Sequence, residues 1–123
     1  MIHHVQLSAP AGSEGKARAF WAALLRYEEI AKPEALAGRG GCWFRGPGIE
    51  IHVGIEADFR PAAKAHPGFL VAGLDALADR LAEAGFGVAW DGDLPGMRRF
   101  YTADPFGNRI EFLEVDLSPR RSP

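Results

Sequence analysis

The chain has 123 residues, of which 47% are hydrophobic and 24% are charged, a size and composition typical of one globular domain. Its 14 Lys and Arg residues and 16 Asp and Glu residues give a net charge of -2, so the charge predicts neither a nucleic-acid partner nor a membrane partner. Apolar runs are too short for a transmembrane helix, and Met1 to His4 lack the features of a signal peptide. The single cysteine, Cys42, excludes an internal disulfide and favours the cytoplasm.

The first half of the chain is predicted to form a strand, a helix and three further strands. Polar and apolar residues alternate over 2–8, which predicts a strand with one polar face. A helix is predicted to begin with Ser13 as its N-cap and to end near Leu25, because apolar residues recur every three or four positions. Further strands are expected at 27–31, 40–45 and 49–55, with a loop at 32–39.

The same order recurs after a linker at 58–65. A strand is predicted at 66–72, then a helix capped by Asp75 and ended by Gly85, and then strands at 86–90, 98–102 and 109–115. We therefore predict an α+β fold, with one domain at 1–115 made of two βαβββ modules, about 1–57 and 65–115. Residues 116–123 are predicted to be a flexible tail.

The repeat places a histidine and a glutamate at equivalent positions in both halves. His4 precedes Glu50 by 46 positions (50 minus 4), and His66 precedes Glu111 by 45 (111 minus 66), which supports an internal repeat. Imidazole and carboxylate together suit Zn²⁺, Ni²⁺, Mn²⁺ or Fe²⁺. These four residues are therefore candidate ligands of a divalent metal, although each of them singly also fits an ordinary half-exposed strand.

The sequence resembles the vicinal oxygen chelate superfamily, which includes glyoxalases, bleomycin-resistance proteins and extradiol dioxygenases. The resemblance covers essentially residues 2–115. It rests on His4-Val5, Phe20-Trp21, the His66 strand with the following Leu74-Asp75-Ala76-Leu77, and above all Asp104-Pro105-Phe106-Gly107-Asn108-Arg109-Ile110-Glu111. It implies a curved mixed sheet around an open cavity, usually in a homodimer. It also implies a divalent metal held by the first and fourth strands of each module, at His4, Glu50, His66 and Glu111.

The same resemblance implies a glyoxalase-like lyase or isomerase that acts on a small carbonyl or vicinal-oxygen substrate. A metal polarises a carbonyl and makes the neighbouring C–H acidic, and a nearby carboxylate can then accept the proton. Glu50 and Glu111 are both candidates for this base. His52 follows Glu50 by two positions on the same face, so it is a candidate catalytic residue or a replacement for Glu50 as ligand. The alternative is a cavity residue behind the ligands.

Three further residues are candidate substrate contacts. Arg99 can hold an anionic group, Tyr101 shares its strand face, and Trp43 can form the wall of an apolar pocket. The alternatives are an exposed strand arginine and core aromatics. Cys42 has no histidine at the spacing of a nucleophilic pair, so we interpret it as a packing residue.

Two other functions stay open at this point. The first is metal-free binding of a small molecule or drug, as in bleomycin-resistance proteins, and the presence of all four candidate ligands argues against it. The second is an extradiol-type dioxygenase, which needs two histidines and one carboxylate around Fe²⁺. His4, His66 and Glu111 would satisfy that requirement, but the short chain and the additional Glu50 disfavour it.

Overall fold

The structure is a computed structural model that describes residues 1–118. Over these residues the chain forms two four-stranded sheets and three helices. The first half contains β1 (His4–Ala9), α1 (Glu14–Ala17, continued as a π-helix over Arg18–Leu24), β2 (Glu28–Ile30), α2 (Glu34–Ala37), β3 (Cys42–Gly46) and β4 (Ile49–Ile55). The second half contains β5 (Gly68–Leu70), α3 (Leu74–Glu83), β6 (Ala89–Asp91), β7 (Met97–Ala103) and β8 (Arg109–Val115). The predicted α+β class is confirmed.

Each half builds its sheet with the same topology. The strand orders are β1-β4-β3-β2 and β5-β8-β7-β6. In the first sheet β1 runs parallel to β4, and in the second β5 runs parallel to β8. The remaining strand pairs are antiparallel. This register places His4 opposite Glu50 in the first sheet and Gly68 opposite Glu111 in the second. The two halves therefore pair their strands in the same way, with the first strand of each half beside its last strand in the sequence.

The two halves share one hydrophobic core. From α1, Trp21 packs edge-on against Phe69 of β5, with ring centroids 6.0 Å apart, and Phe20 packs against Phe86 at 5.0 Å. Phe20 and Trp21 are both almost completely buried, and burying a side chain of this size contributes about 2–3 kcal/mol. The apolar strand faces therefore point toward the helices and the core, which leaves the polar faces for a site.

The Asp104–Asn108 turn ties the two halves together. The Asp104 carboxylate accepts hydrogen bonds from the backbone N–H groups of Phe106 (2.9 Å) and Asn108 (2.8 Å) and from the Asn108 side-chain amide (2.8 Å). The same amide donates to the Ser8 carbonyl of β1 at 2.9 Å. The motif that carries most of the family resemblance therefore fixes the start of β8 against the end of β1.

Of the two predicted N-caps, Ser13 is at the N-cap position of α1 and Asp75 is not at that of α3. Ser13 makes no side-chain cap, because its hydroxyl donates to the Pro10 carbonyl instead. Gly73 precedes α3 in place of Asp75, whose carboxylate binds Arg98 at 2.8 Å. Gly85 follows the end of α3 with a φ of 87°, as expected for a glycine at this position.

Other boundaries shift as well. The segment predicted as a loop at 32–39 contains α2. The strand predicted at 66–72 shrinks to Gly68–Leu70, since Pro67 has no N–H to donate to the ladder; the Pro67 carbonyl still accepts from Glu111 N–H at 3.0 Å. The strand predicted at 86–90 begins only at Ala89. Of the predicted tail 116–123, residues 119–123 lie outside the described residues.

Candidate functional site

The polar face of the first sheet carries three stacked aromatic rings. Trp43 and His52 are cross-strand partners, and their rings lie 3.8 Å apart at an interplanar angle of 2°. The other face of the His52 ring stacks on His4 at 4.1 Å and 13°. Because His52 is only 4% exposed and is held on both faces, its ring has one orientation.

His52 uses that orientation to hold Glu50. Its Nε2 lies 3.0 Å from Glu50 Oε1. This hydrogen bond is the main reason why the pKa of Glu50 lies below its ordinary value; the nearby charges of His3 and Arg45 act in the same direction and desolvation opposes them. A lowered pKa keeps Glu50 ionised, as a metal ligand must be, and makes it a weaker base.

The second sheet holds the other predicted pair. Glu111 of β8 is 7% exposed, and its Oε1 lies 2.9 Å from His66 Nε2. His66 Nδ1 lies 2.8 Å from the Lys64 carbonyl, which can only accept a hydrogen bond, so Nδ1 carries the proton. A neutral His66 would then present a lone pair to the carboxylate. The contact with Glu111 is a hydrogen bond that Nε2 donates when it carries a proton, and both side chains are of types that also bind metals.

Arg99 and Tyr101 surround Glu111. Arg99 Nη1 donates to Glu111 Oε2 at 3.2 Å, and its Nη2 lies 3.5 Å from Asp91 Oδ2. Tyr101 is the cross-strand partner of Glu111, and its ring lies edge-on to His66 at 5.3 Å. Because two carboxylates already engage Arg99, its geometry suits positioning Glu111 more than holding a substrate anion.

The structure brings the predicted ligands together in two pairs. His4 and Glu50, with His52, lie on the first sheet, and His66 and Glu111 lie at the second. Over residues 1–118, no group of three or more His, Cys, Asp and Glu side chains is placed to hold a metal ion. The donor types fit a divalent metal, but one chain alone does not bring the four ligands to one point.

Arg109 is a candidate site residue that the sequence prediction missed. It lies on the same face of β8 as Glu111, two positions earlier, and its guanidinium lies 4.2 Å from the centre of the Tyr101 ring. The alternation of side chains along β8 was the signal that could have identified it.

Two other observations bear on function. Cys42 is 2% exposed, and burial raises the pKa of its thiol to about 11, which agrees with a packing role and not with a nucleophile. Among the described residues, no helix is long and apolar enough to cross a membrane.

Comparison with solved structures identifies several similar chains. A protein assigned to the glyoxalase family from Bacillus anthracis is 49% identical, with a TM-score of 0.91 over 94% of this chain and 95% of the other. A glyoxalase/dioxygenase from Nostoc punctiforme is 20% identical, with a TM-score of 0.76 over 94% and 91%. The fosfomycin resistance protein FosX from Listeria monocytogenes is 18% identical, with a TM-score of 0.75 over 95% and 94%. No protein-family model matches the sequence, and comparison with curated proteins gives no match.

Proposed function

Because this chain belongs to the glyoxalase family of the vicinal oxygen chelate superfamily, we propose that it is a divalent-metal-dependent enzyme of the lyase or isomerase type. Its proposed substrate is a small molecule with a carbonyl or two vicinal oxygens. The observation that carries this proposal is the contact between His66 Nε2 and Glu111 Oε1 at 2.9 Å. The contact brings an imidazole nitrogen and a carboxylate oxygen together, and both residue types are common metal ligands.

We propose that His4, Glu50, His66 and Glu111 are the ligands, and that two copies of the chain form the site. The two pairs lie on separate sheets, each of which ends in an edge strand, β1 or β5. His4 and Glu50 of one chain would then bind the metal together with His66 and Glu111 of the partner subunit. The metal is Zn²⁺, Ni²⁺, Mn²⁺ or Fe²⁺, all of which accept this mixture of imidazole and carboxylate.

The protein residues have distinct proposed roles. A bound divalent metal would polarise the substrate carbonyl and stabilise negative charge on its oxygen. Since the hydrogen bond from His52 lowers the pKa of Glu50, Glu50 suits the ligand role, and Glu111 is the proposed proton acceptor. Arg99 holds Glu111 by its hydrogen bond to Oε2. His52 fixes Glu50, and the Trp43 and His4 rings fix His52 in turn.

The first experiment measures metal in protein purified without added metal. We expect near-stoichiometric divalent metal in the wild type and in the control Glu83→Gln, an exposed helix residue, and little in the double variant His4→Ala/Glu111→Ala. Wild-type protein that contains no metal and binds none on titration would contradict the proposal and favour metal-free ligand binding. Bound iron together with catechol cleavage would instead support the dioxygenase alternative.

The second experiment tests whether the site forms between chains. One variant loses His4 and Glu50, and another loses His66 and Glu111, with alanine at each position. Neither variant binds metal alone. A mixed dimer of the two retains one intact set of ligands if the site lies between chains, so we expect about one metal per mixed dimer. A mixed dimer without metal, or a monomeric wild type that binds metal fully, would contradict a shared site.

A further inference from the structure

A cavity of about 460 Å³ lies beside the His66–Glu111 pair, between β1, the linker before β5 and the start of β8. Its polar lining includes Gln6, Glu56, Arg60, His66, Asn108 and Arg109. The volume is sufficient for part of a small ligand. Because His66 lines this cavity and also contacts Glu111, a molecule in it would adjoin the proposed metal ligands.

Within the described residues, Arg60 and Arg109 have no acidic partner, in contrast to Arg98 and Arg99. Arg98 contacts Asp75 and Glu114, and Arg99 contacts Asp91 and Glu111. Over residues 1–118, Arg60 and Arg109 form no ion pair and no side-chain hydrogen bond. Two arginines and one carboxylate, Glu56, line the cavity, so its formal charge is positive even with His66 neutral.

Arg109 is nevertheless held in place. The central carbon of its guanidinium lies 4.2 Å from the centre of the Tyr101 ring, and its side chain is half-buried. A cation–π contact with the ring restricts the guanidinium without using up its five N–H donors, none of which has a protein acceptor within residues 1–118. A planar, oriented guanidinium with free edge donors is the arrangement that binds a carboxylate or a phosphate-like group through two hydrogen bonds.

We propose that this cavity binds an anionic group of the substrate, which is a carboxylate, a phosphonate or a phosphate. Arg109 is its main contact, and Arg60 adds a second positive charge from the linker. Assigning this anion to the substrate rests on the proposed function, whereas binding of the anion in the cavity does not. The enzyme would thus select small acids whose reactive oxygens reach the metal while the charged group lies against Arg109.

The test uses simple anions as probes on metal-free protein. The wild type, treated with a chelator, is titrated with inorganic phosphate, methylphosphonate or acetate at constant ionic strength, and backbone amide NMR signals are followed. We expect saturable shifts at Asn108 and Arg109 with at least one of these anions, and none with the neutral analogue acetamide. Absence of saturable shifts with all three anions would overturn the proposal.

Variants then locate the anion. Arg109→Gln is expected to weaken anion binding at least 10-fold, and Arg109→Lys is expected to weaken it less. Arg60→Gln should weaken anion binding several-fold. The control Arg39→Gln, which changes an exposed arginine, should leave the anion affinity unchanged. Tyr101→Phe keeps the stacking ring and should retain binding. Equal affinity in wild type and Arg109→Gln would overturn the proposal. The anion titration uses metal-free protein, so its result does not depend on the metal site. Protein that binds the anion but no metal would refute only the proposed function. Protein that binds metal but not the anion would refute only this inference.

Discussion

Replacing Asp104 with alanine should destabilise the protein by about 3 kcal/mol. The substitution removes the acceptor for three hydrogen bonds, from Phe106 N, Asn108 N and Asn108 Nδ2. Bonds to a charged acceptor are each worth roughly 1.5–3 kcal/mol. Desolvation of the buried carboxylate opposes the stabilisation from these hydrogen bonds and raises the pKa of the Asp104 carboxyl. The net loss on substitution is therefore well below the summed energies of the three bonds. A loss of about 3 kcal/mol corresponds to a melting temperature lower by roughly 10 °C in a chain of this size.

Urea unfolding followed by circular dichroism measures this loss, as a lower midpoint with an unchanged slope. Asp116→Ala is the matched control, because the Asp116 carboxylate also accepts a backbone N–H two residues later, from Ser118 at 2.9 Å, but at an exposed position. We expect a change below about 0.5 kcal/mol for it, as for most surface substitutions. A loss below about 1 kcal/mol in Asp104→Ala would refute the reasoning that this carboxylate holds the turn.

Three further predictions concern the core and the first sheet. Burial raises the pKa of Cys42 from 9.0 to about 11, so its reaction with a thiol reagent at pH 8 should be roughly 100-fold slower than in urea-unfolded chains. The unfolding free energy should also fall between pH 9 and about 11, where only the unfolded chain loses this proton. Cys42→Ala should make that fall smaller and leave the part due to the Tyr27 hydroxyl, whose pKa burial also raises. Equal reaction rates of folded and unfolded chains would contradict the prediction for Cys42. His52→Ala should weaken metal affinity about 10–100-fold in a competition with a chelator, because His52 orients Glu50. The control Trp43→Phe keeps a stacking ring and should change the affinity less than about 3-fold. The same metal affinity in both variants would argue against an orienting role for His52. Phe100→Ala should cost about 3–5 kcal/mol in urea unfolding and Phe100→Leu less than about 1.5, since Phe100 is fully buried; similar losses would contradict tight packing there.

The order of the elements was predictable because it depends on patterns along the chain. Alternation marked β4, which begins and ends where predicted, and β8 likewise runs from Arg109 to Val115. Gly85 marked the end of α3, since only a residue that tolerates a positive φ fits there. The equivalence of the two halves followed from the repeat of the His and Glu positions.

Features that depend on distant contacts were not predictable in this way. Ser13 is the N-cap of α1 as predicted, but its hydroxyl donates to the Pro10 carbonyl and not to the helix. Asp75 is a residue type common at N-caps, but its carboxylate binds Arg98 and Gly73 is the N-cap. The separation of the four ligand candidates into two pairs is set by how the halves pack, which residue spacing does not encode. The position of the Arg109 guanidinium depends on Tyr101, eight positions earlier on a neighbouring strand.

The packing of α1 against the second half has a consequence for how the protein could have arisen. Phe20 and Trp21 belong to the first repeat, yet they fill a space bounded by Phe86 and Phe69 of the second. A single repeat expressed alone would expose these rings to water. If the gene grew by duplication, a lone ancestral unit would have had to cover the same surface by associating with another copy, and fusion then made that association permanent within one polypeptide.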